Sequence, residues 1–256
     1  MKAIILAGGF GTRLSEETTV RPKPLIEIGG KPILWHIMNI YGVHGIREFI
    51  IALGYKGELI KEYFINFKTI HNDITVDMEK GETIVHNGKL PPWKIHLVDT
   101  GLHTETGGRL KRLQQWLEGD ETFMFTYGDG VGDIDIVRLL EFHKSHGKLA
   151  SVTTVRSPSR FGRIAFRDDQ IAEFHEKPES AEGWISGGFF VLNTQVLNYI
   201  EGDSAVWEMR PVERLVREGQ MMGFRHYGFW SCMDTLKEKA YLEELWNSGE
   251  APWKKW

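Results

Sequence analysis

Residues 1–6 form a short apolar run with no polar residue after Lys2, which predicts a strand buried on both faces of a parallel sheet. A glycine-rich turn follows at once. Apolar residues at helical spacing over 33–43 and a β-rich run over 48–53 complete a β-loop-α-β beginning. Further on, the pattern predicts a helix over 57–64, strands over 95–98, 123–127, 150–155 and 188–192, and helices over 110–117 and 136–146. Strands alternating with helices predict an α/β, Rossmann-like three-layer sandwich around a mostly parallel, mixed central sheet. Alternation in Ile74-Thr75-Val76-Asp77-Met78, followed by Gly81 and Asn87-Gly88, marks a β excursion from that sheet over 73–92. A second hairpin is expected over 161–174 and a closing helix over 240–246. No linker, repeat or low-complexity tract interrupts the pattern, so residues 1–256 are expected to form one domain with a helical C-terminal end.

Composition narrows the partners. The 256 residues are 41% hydrophobic and 26% charged, with a formal net charge of −4, so there is no global positive field for nucleic acid or an anionic membrane. No apolar run approaches membrane-span length, and the apolar start lacks a signal-peptide pattern. The single Cys232 cannot form an internal disulfide, which points to the cytoplasm. The ten histidines show no metal-site spacing, and the nine tryptophans lack a basic stripe, so neither set receives chemistry. Trp93, Trp253 and Trp256, beside proline or the chain end, are expected to cover a neighbouring subunit.

The richest stretch is Leu6-Ala7-Gly8-Gly9-Phe10-Gly11-Thr12-Arg13-Leu14, followed by Arg21-Pro22-Lys23-Pro24. Three glycines let backbone amides approach an anion, Thr12 adds a hydroxyl and Arg13 a charged fork. Leu14 occupies the last glycine position of a dinucleotide fingerprint, and no Gly-Lys-Ser/Thr ending is present, so both usual glycine-rich alternatives fail. A lone Gly-Gly is most often a tight turn, and a lone surface lysine is most often solvated. Lys23, however, sits between two prolines that restrict its backbone. Asp129 in Gly128-Asp129-Gly130 follows a buried strand, at the sheet edge where open α/β folds bind ligands. Asp234 in Met233-Asp234-Thr235 is a second carboxylate, although it also reads as a helix N-cap. Asp133 and Asp135 read as turn and cap residues.

Taken whole, the string resembles the nucleotide-binding loop of the sugar-1-phosphate nucleotidyltransferases, and the order of the later motifs agrees over nearly all of the chain. The resemblance implies that Arg13 and Lys23 neutralise a nucleoside triphosphate and stabilise charge as pyrophosphate leaves, and that Asp129 and Asp234 hold Mg²⁺. It implies that Gly162, Glu176, Lys177 of Glu176-Lys177-Pro178, and Gly188 meet the sugar phosphate. The loop Thr104-Glu105-Thr106-Gly107-Gly108-Arg109, with Tyr-Gly-Asp-Gly and Met-Asp-Thr, resembles the cytidylyl-transferring branch. Thr104, the amides of Gly107 and Gly108, and Arg109 would then serve the nucleotide, CTP, beside glucose 1-phosphate. Thr106 also reads as a helix cap. The same resemblance implies a homo-oligomer, a hexamer, and a product destined for the deoxysugars of surface polysaccharide. Two alternatives stand beside it: the same chemistry with another nucleotide or hexose 1-phosphate, and a non-catalytic nucleotide-sugar sensor. Retention of Arg13, Lys23, Asp129, Lys177 and Asp234 argues against the second.

Overall fold

The computed structural model describes residues 1–88, 90–156, 163–167, 170–175 and 183–256, the two segments 163–167 and 170–175 by their backbone. Seven strands build the central sheet: β1 (Lys2–Leu6), β2 (Glu48–Leu53), β3 (Lys94–Asp99), β4 (Thr122–Tyr127), β5 (Ala150–Arg156), β6 (Trp184–Asn193) and β7 (Met221–Arg225). Their order is β7-β5-β6-β4-β1-β2-β3, and β6 is antiparallel to both of its neighbours while every other pair is parallel.

The unbroken apolarity of β1 has a direct structural cause. Ala3 and Ile5 join the core on one face, against the helix Ile33–Gly42 and, farther on, Leu242 and Trp253. Ile4 and Leu6 join the core on the other, with Leu110, Phe125 and Trp207. Because side chains alternate across a strand, a strand covered on both faces has no place for a polar residue. From β1 the chain adds β2 and β3 on one side, then crosses to place β4 on the other. The C-terminal ends of β1 and β4 therefore flank the switch point of the sheet, where a crevice opens.

The expected excursion is a hairpin, Asp73–Asp77 against Glu82–His86, outside the central sheet, with Ile74, Val76 and Ile84 exposed. The second expected hairpin pairs Arg163–Arg167 with Gln170–His175. Three expectations need correction. The helix predicted over 110–117 is Thr106–Arg112 followed by the tight turn Gln114–Leu117, because its start is stitched to a distant segment described below. The closing helix is longer, Leu236–Asn247, since Thr235 and Glu238 form a capping box: Thr235 Oγ1 accepts the Glu238 amide at 3.2 Å and Glu238 Oε2 accepts the Thr235 amide at 2.9 Å. Asp234 is thus not the N-cap, and its carboxylate is free for other work. Finally, Trp253 is not held for a neighbour. It is 1% exposed within its own chain, stacked on Phe229 and donating to His36 Nδ1 at 3.3 Å. Trp93 and Trp256 are only partly buried, edge-on to Phe49 and Trp35 respectively.

Candidate active site

The turn after β1 sits directly at the switch point. Its carbonyls are tied down behind it: Gly8 oxygen accepts from the Tyr55 amide at 3.1 Å and from Arg109 Nη2 at 3.1 Å, and Gly11 oxygen accepts from the Leu14 amide at 3.0 Å. Among the described residues no protein acceptor takes the amides of Gly9, Phe10 and Gly11. The loop therefore offers a row of donors to the crevice, the arrangement that binds phosphate. Glycine is required at position 8 for a steric reason, since a Cβ there would lie 2.3 Å from Arg109 Nη1.

The crevice is a cleft of about 570 Å³. Leu6, Ala7, Gly8, Gly9, Phe10, Gly11, Thr12, Arg13, Lys23, Thr104, Arg109, Gly128 and Asp129 all line it, so most of the residues singled out from the sequence converge. Gly107 and Gly108 do not. Their amides both donate to Ala205 oxygen, at 2.9 and 3.1 Å, and a Cβ on Gly108 would lie 2.4 Å from Asp203 oxygen. They are glycines because another backbone passes close by, so they cannot read a base with those amides. Thr106 is likewise not the cap of its helix, a position held by Glu105. Arg109 is 5% exposed, and its guanidinium donates to Leu53 oxygen, Thr100 Oγ1, Gly101 oxygen and Gly8 oxygen at 2.7–3.1 Å. Burial pulls its basicity below the ordinary arginine value, and the carbonyls around it make a charged strut under the glycine loop.

At the other end of the cleft the charges gather. Lys23, on a tight turn entered through Pro22, donates from Nζ to Asp129 Oδ2 at 2.7 Å and to Asp234 Oδ1 at 2.6 Å. Arg13 Nη1 reaches Asp234 Oδ2 at 2.5 Å. Burial alone would depress the Lys23 ammonium, but Asp129 and Asp234 outweigh it and hold the group above its usual value. Burial would raise the Asp234 carboxyl, yet Lys23 and Arg13 hold it below the usual carboxylate range. Lys23 and Asp234 therefore both stay ionised at neutral pH.

What joins Asp129 to Asp234 is a small ladder, Gly130–Gly132 against Trp230–Cys232, with the Met233 amide donating to Asp129 oxygen at 2.8 Å. Segments a hundred residues apart thereby aim two carboxylates at one point. Such a pair of hard oxygen donors, within reach of a single cation, fits a divalent ion that completes its shell with phosphate and water. Cys232 is close by, but burial and the neighbouring carboxylates push its thiol up to about 11, so it stays protonated and offers no thiolate. Glu238 is occupied capping its helix.

Gly188, expected at the sugar phosphate, lies on β6 with φ +76°, and a Cβ there would meet the Tyr127 ring at 2.8 Å. Gly162, Glu176 and Lys177 lie outside the described residues. The sequence reading missed Tyr127, which lines the cleft at the end of β4 and carries the signal of a polar tip on a buried strand.

A family model described as nucleotidyl transferase matches residues 2–231. The chain is 54% identical to a glucose-1-phosphate cytidylyltransferase of Salmonella typhimurium, over the whole of both proteins. It is 30% identical to a mannose-1-phosphate guanyltransferase of Neurospora crassa over 94% of this chain and 62% of that one. Among solved structures, HddC from Yersinia pseudotuberculosis has the same fold, with a TM-score of 0.71 at 21% identity over 96% of this chain and 99% of its own. No helix among the described residues is long and apolar enough to cross a membrane. A donor-lined glycine turn at the switch point, ionised partners beneath it and identity over the full length lead to one conclusion: the chain belongs to the nucleotidyl transferase family, and within it to the glucose-1-phosphate cytidylyltransferases.

Proposed function

We propose that this enzyme transfers the cytidylyl group of CTP to α-D-glucose 1-phosphate, releasing pyrophosphate and CDP-glucose, with Mg²⁺ as its divalent ion. The observation that carries this reading is the convergence of Lys23, Asp129 and Asp234 at the end of a cleft floored by the glycine loop. The amides of Gly9 to Gly11, with Thr12 and Arg13, take the triphosphate. Lys23 meets the charge that grows on the α-phosphate oxygens. Asp129 and Asp234 hold the metal, which when bound draws negative charge off the phosphate oxygens. The sugar phosphate is already an anion and needs no general base, so the protein contributes alignment and fixed charge. Thr104 serves the base end, while Arg109, its guanidinium taken up by protein oxygens, holds the glycine loop from beneath. Gly162, Glu176, Lys177 and Gly188 serve glucose 1-phosphate.

Pyrophosphate release with glucose 1-phosphate across CTP, UTP, dTTP and GTP tests the nucleotide. CTP is expected to lead by about tenfold or more in kcat/KM, as a hydrogen-bonding pocket rejects a base that leaves its donors unpaired. Turnover with UTP or dTTP equal to that with CTP overturns the assignment and leaves the family untouched.

The reading includes one domain working in the cytoplasm as a homo-oligomer, a hexamer. With Trp253 buried in its own chain, the support for association is the hairpin Asp73–Asp77 and Glu82–His86, whose Val76 is 50% and Ile84 54% exposed, together with Met78 beyond it at 86%. Light scattering at assay concentration is expected to give the mass of six chains. A fully active monomer contradicts it.

A further inference from the structure

The segment 203–208 carries no motif, yet it is bolted to the wall of the cleft. The Glu105 amide donates to Asp203 oxygen at 2.9 Å, the Gly107 amide to Ala205 oxygen at 2.9 Å, and the Trp207 amide to Thr106 Oγ1 at 2.9 Å. Trp207 is fully buried, edge-on to Phe125 and Phe190. This anchoring leaves the next residue, Glu208, at the rim of the cleft, where its Oε2 accepts from Thr106 Oγ1 at 2.7 Å and its Oε1 accepts from the Tyr127 hydroxyl. Both donors are cleft-lining residues. The Tyr127 ring lies between this rim and β6, pressed so closely on Gly188 that only glycine fits there.

We propose that Glu208 is a positioning residue for the glucose 1-phosphate half of the reaction. By holding the hydroxyls of Tyr127 and Thr106 on one carboxylate, it fixes the Tyr127 ring as the wall between the nucleotide cleft and β6. The choice of the sugar half rests on the reading that the glycine-led start of β6 faces the sugar. The contact of the ring with Gly188, on the far side of Tyr127 from the glycine loop, then makes sugar binding the step that feels a loosened ring.

Steady-state kinetics of the full-length enzyme with both substrates test it. Glu208→Gln keeps the shape but only one acceptor, Glu208→Ala keeps neither, and Tyr127→Phe removes the donor. The KM for glucose 1-phosphate is expected to rise about fivefold in Glu208→Gln and about tenfold in the other two, the scale of a lost charge-assisted hydrogen bond at a partly exposed site. The KM for CTP should stay within about twofold, and the Tyr127→Phe, Glu208→Ala pair should add no more than about twofold to the worse single variant, as coupled partners do. Equal rises for both substrates, multiplied effects in the double variant, or an unchanged KM in Glu208→Ala overturn the proposal. Glu208 is exposed, and should Glu208→Ala not fold, the ratio of the two KM values in Glu208→Gln decides by the same criterion. A wild-type enzyme inactive with these substrates overturns the functional reading and the inference with it, whereas an active wild type with unmoved variants overturns the inference alone.

Discussion

Asp129→Asn and Asp234→Asn are each expected to lower turnover about a hundredfold or more, on the scale of the several kcal/mol a bound divalent ion supplies to transition-state charge. The two carboxylates come from the two strands of a three-residue antiparallel ladder, at the same end of it, and meet at one cation, so neither can take over from the other. Both variants should keep the fold, because the ladder is made of backbone bonds and the helix after Asp234 is capped by Thr235 and Glu238. The check is turnover against Mg²⁺ concentration beside a thermal melt. If both variants retain near wild-type activity, these residues are structural and the metal lies elsewhere.

Lys23→Ala should fall next, with kcat/KM for CTP reduced about ten- to a hundredfold by loss of a buried charge-assisted contact. The Lys23 side chain is 11% exposed, and its removal leaves Asp129 and Asp234 facing one another with Arg13 as their remaining cation. Two ionised carboxylates in that position repel, so stability near neutral pH should drop as well. The KM for glucose 1-phosphate should stay within about twofold of wild type, while Lys177→Ala should show the reverse pattern, on the same scale. Indistinguishable effects of the two lysines on both substrates contradict the division of roles.

The residues that were legible in the sequence owe it to local physics. A strand with no polar residue, a turn that only glycine can make, a lysine between prolines and an acid at a strand end each advertise themselves within a dozen positions, and Leu6 to Arg13, Lys23 and Asp129 are together in the cleft. What escaped depends on distant contacts. The ladder that delivers Asp234 is too short to show periodicity. Gly107 and Gly108 look like ligand-binding glycines, but the backbone that makes them necessary comes from Asp203 and Ala205, some hundred residues on. Edge strand β7, Met221–Arg225, left no clear alternation, since it buries little of itself, and the helix Arg210–Arg217 is only about two turns long, too short for its stripe to stand out. Glu208 is an ordinary surface acid until Trp207 fixes where it emerges.

The central claim is that the sugar phosphate attacks the α-phosphorus of CTP, lined up over Lys23 and the two aspartates. Following glucose 1-phosphate labelled with ¹⁸O in its phosphoryl oxygens tests this most directly. The account predicts that all of the label appears in CDP-glucose and none in the released pyrophosphate. Label in pyrophosphate, or CDP-glucose that has lost it, contradicts the mechanism.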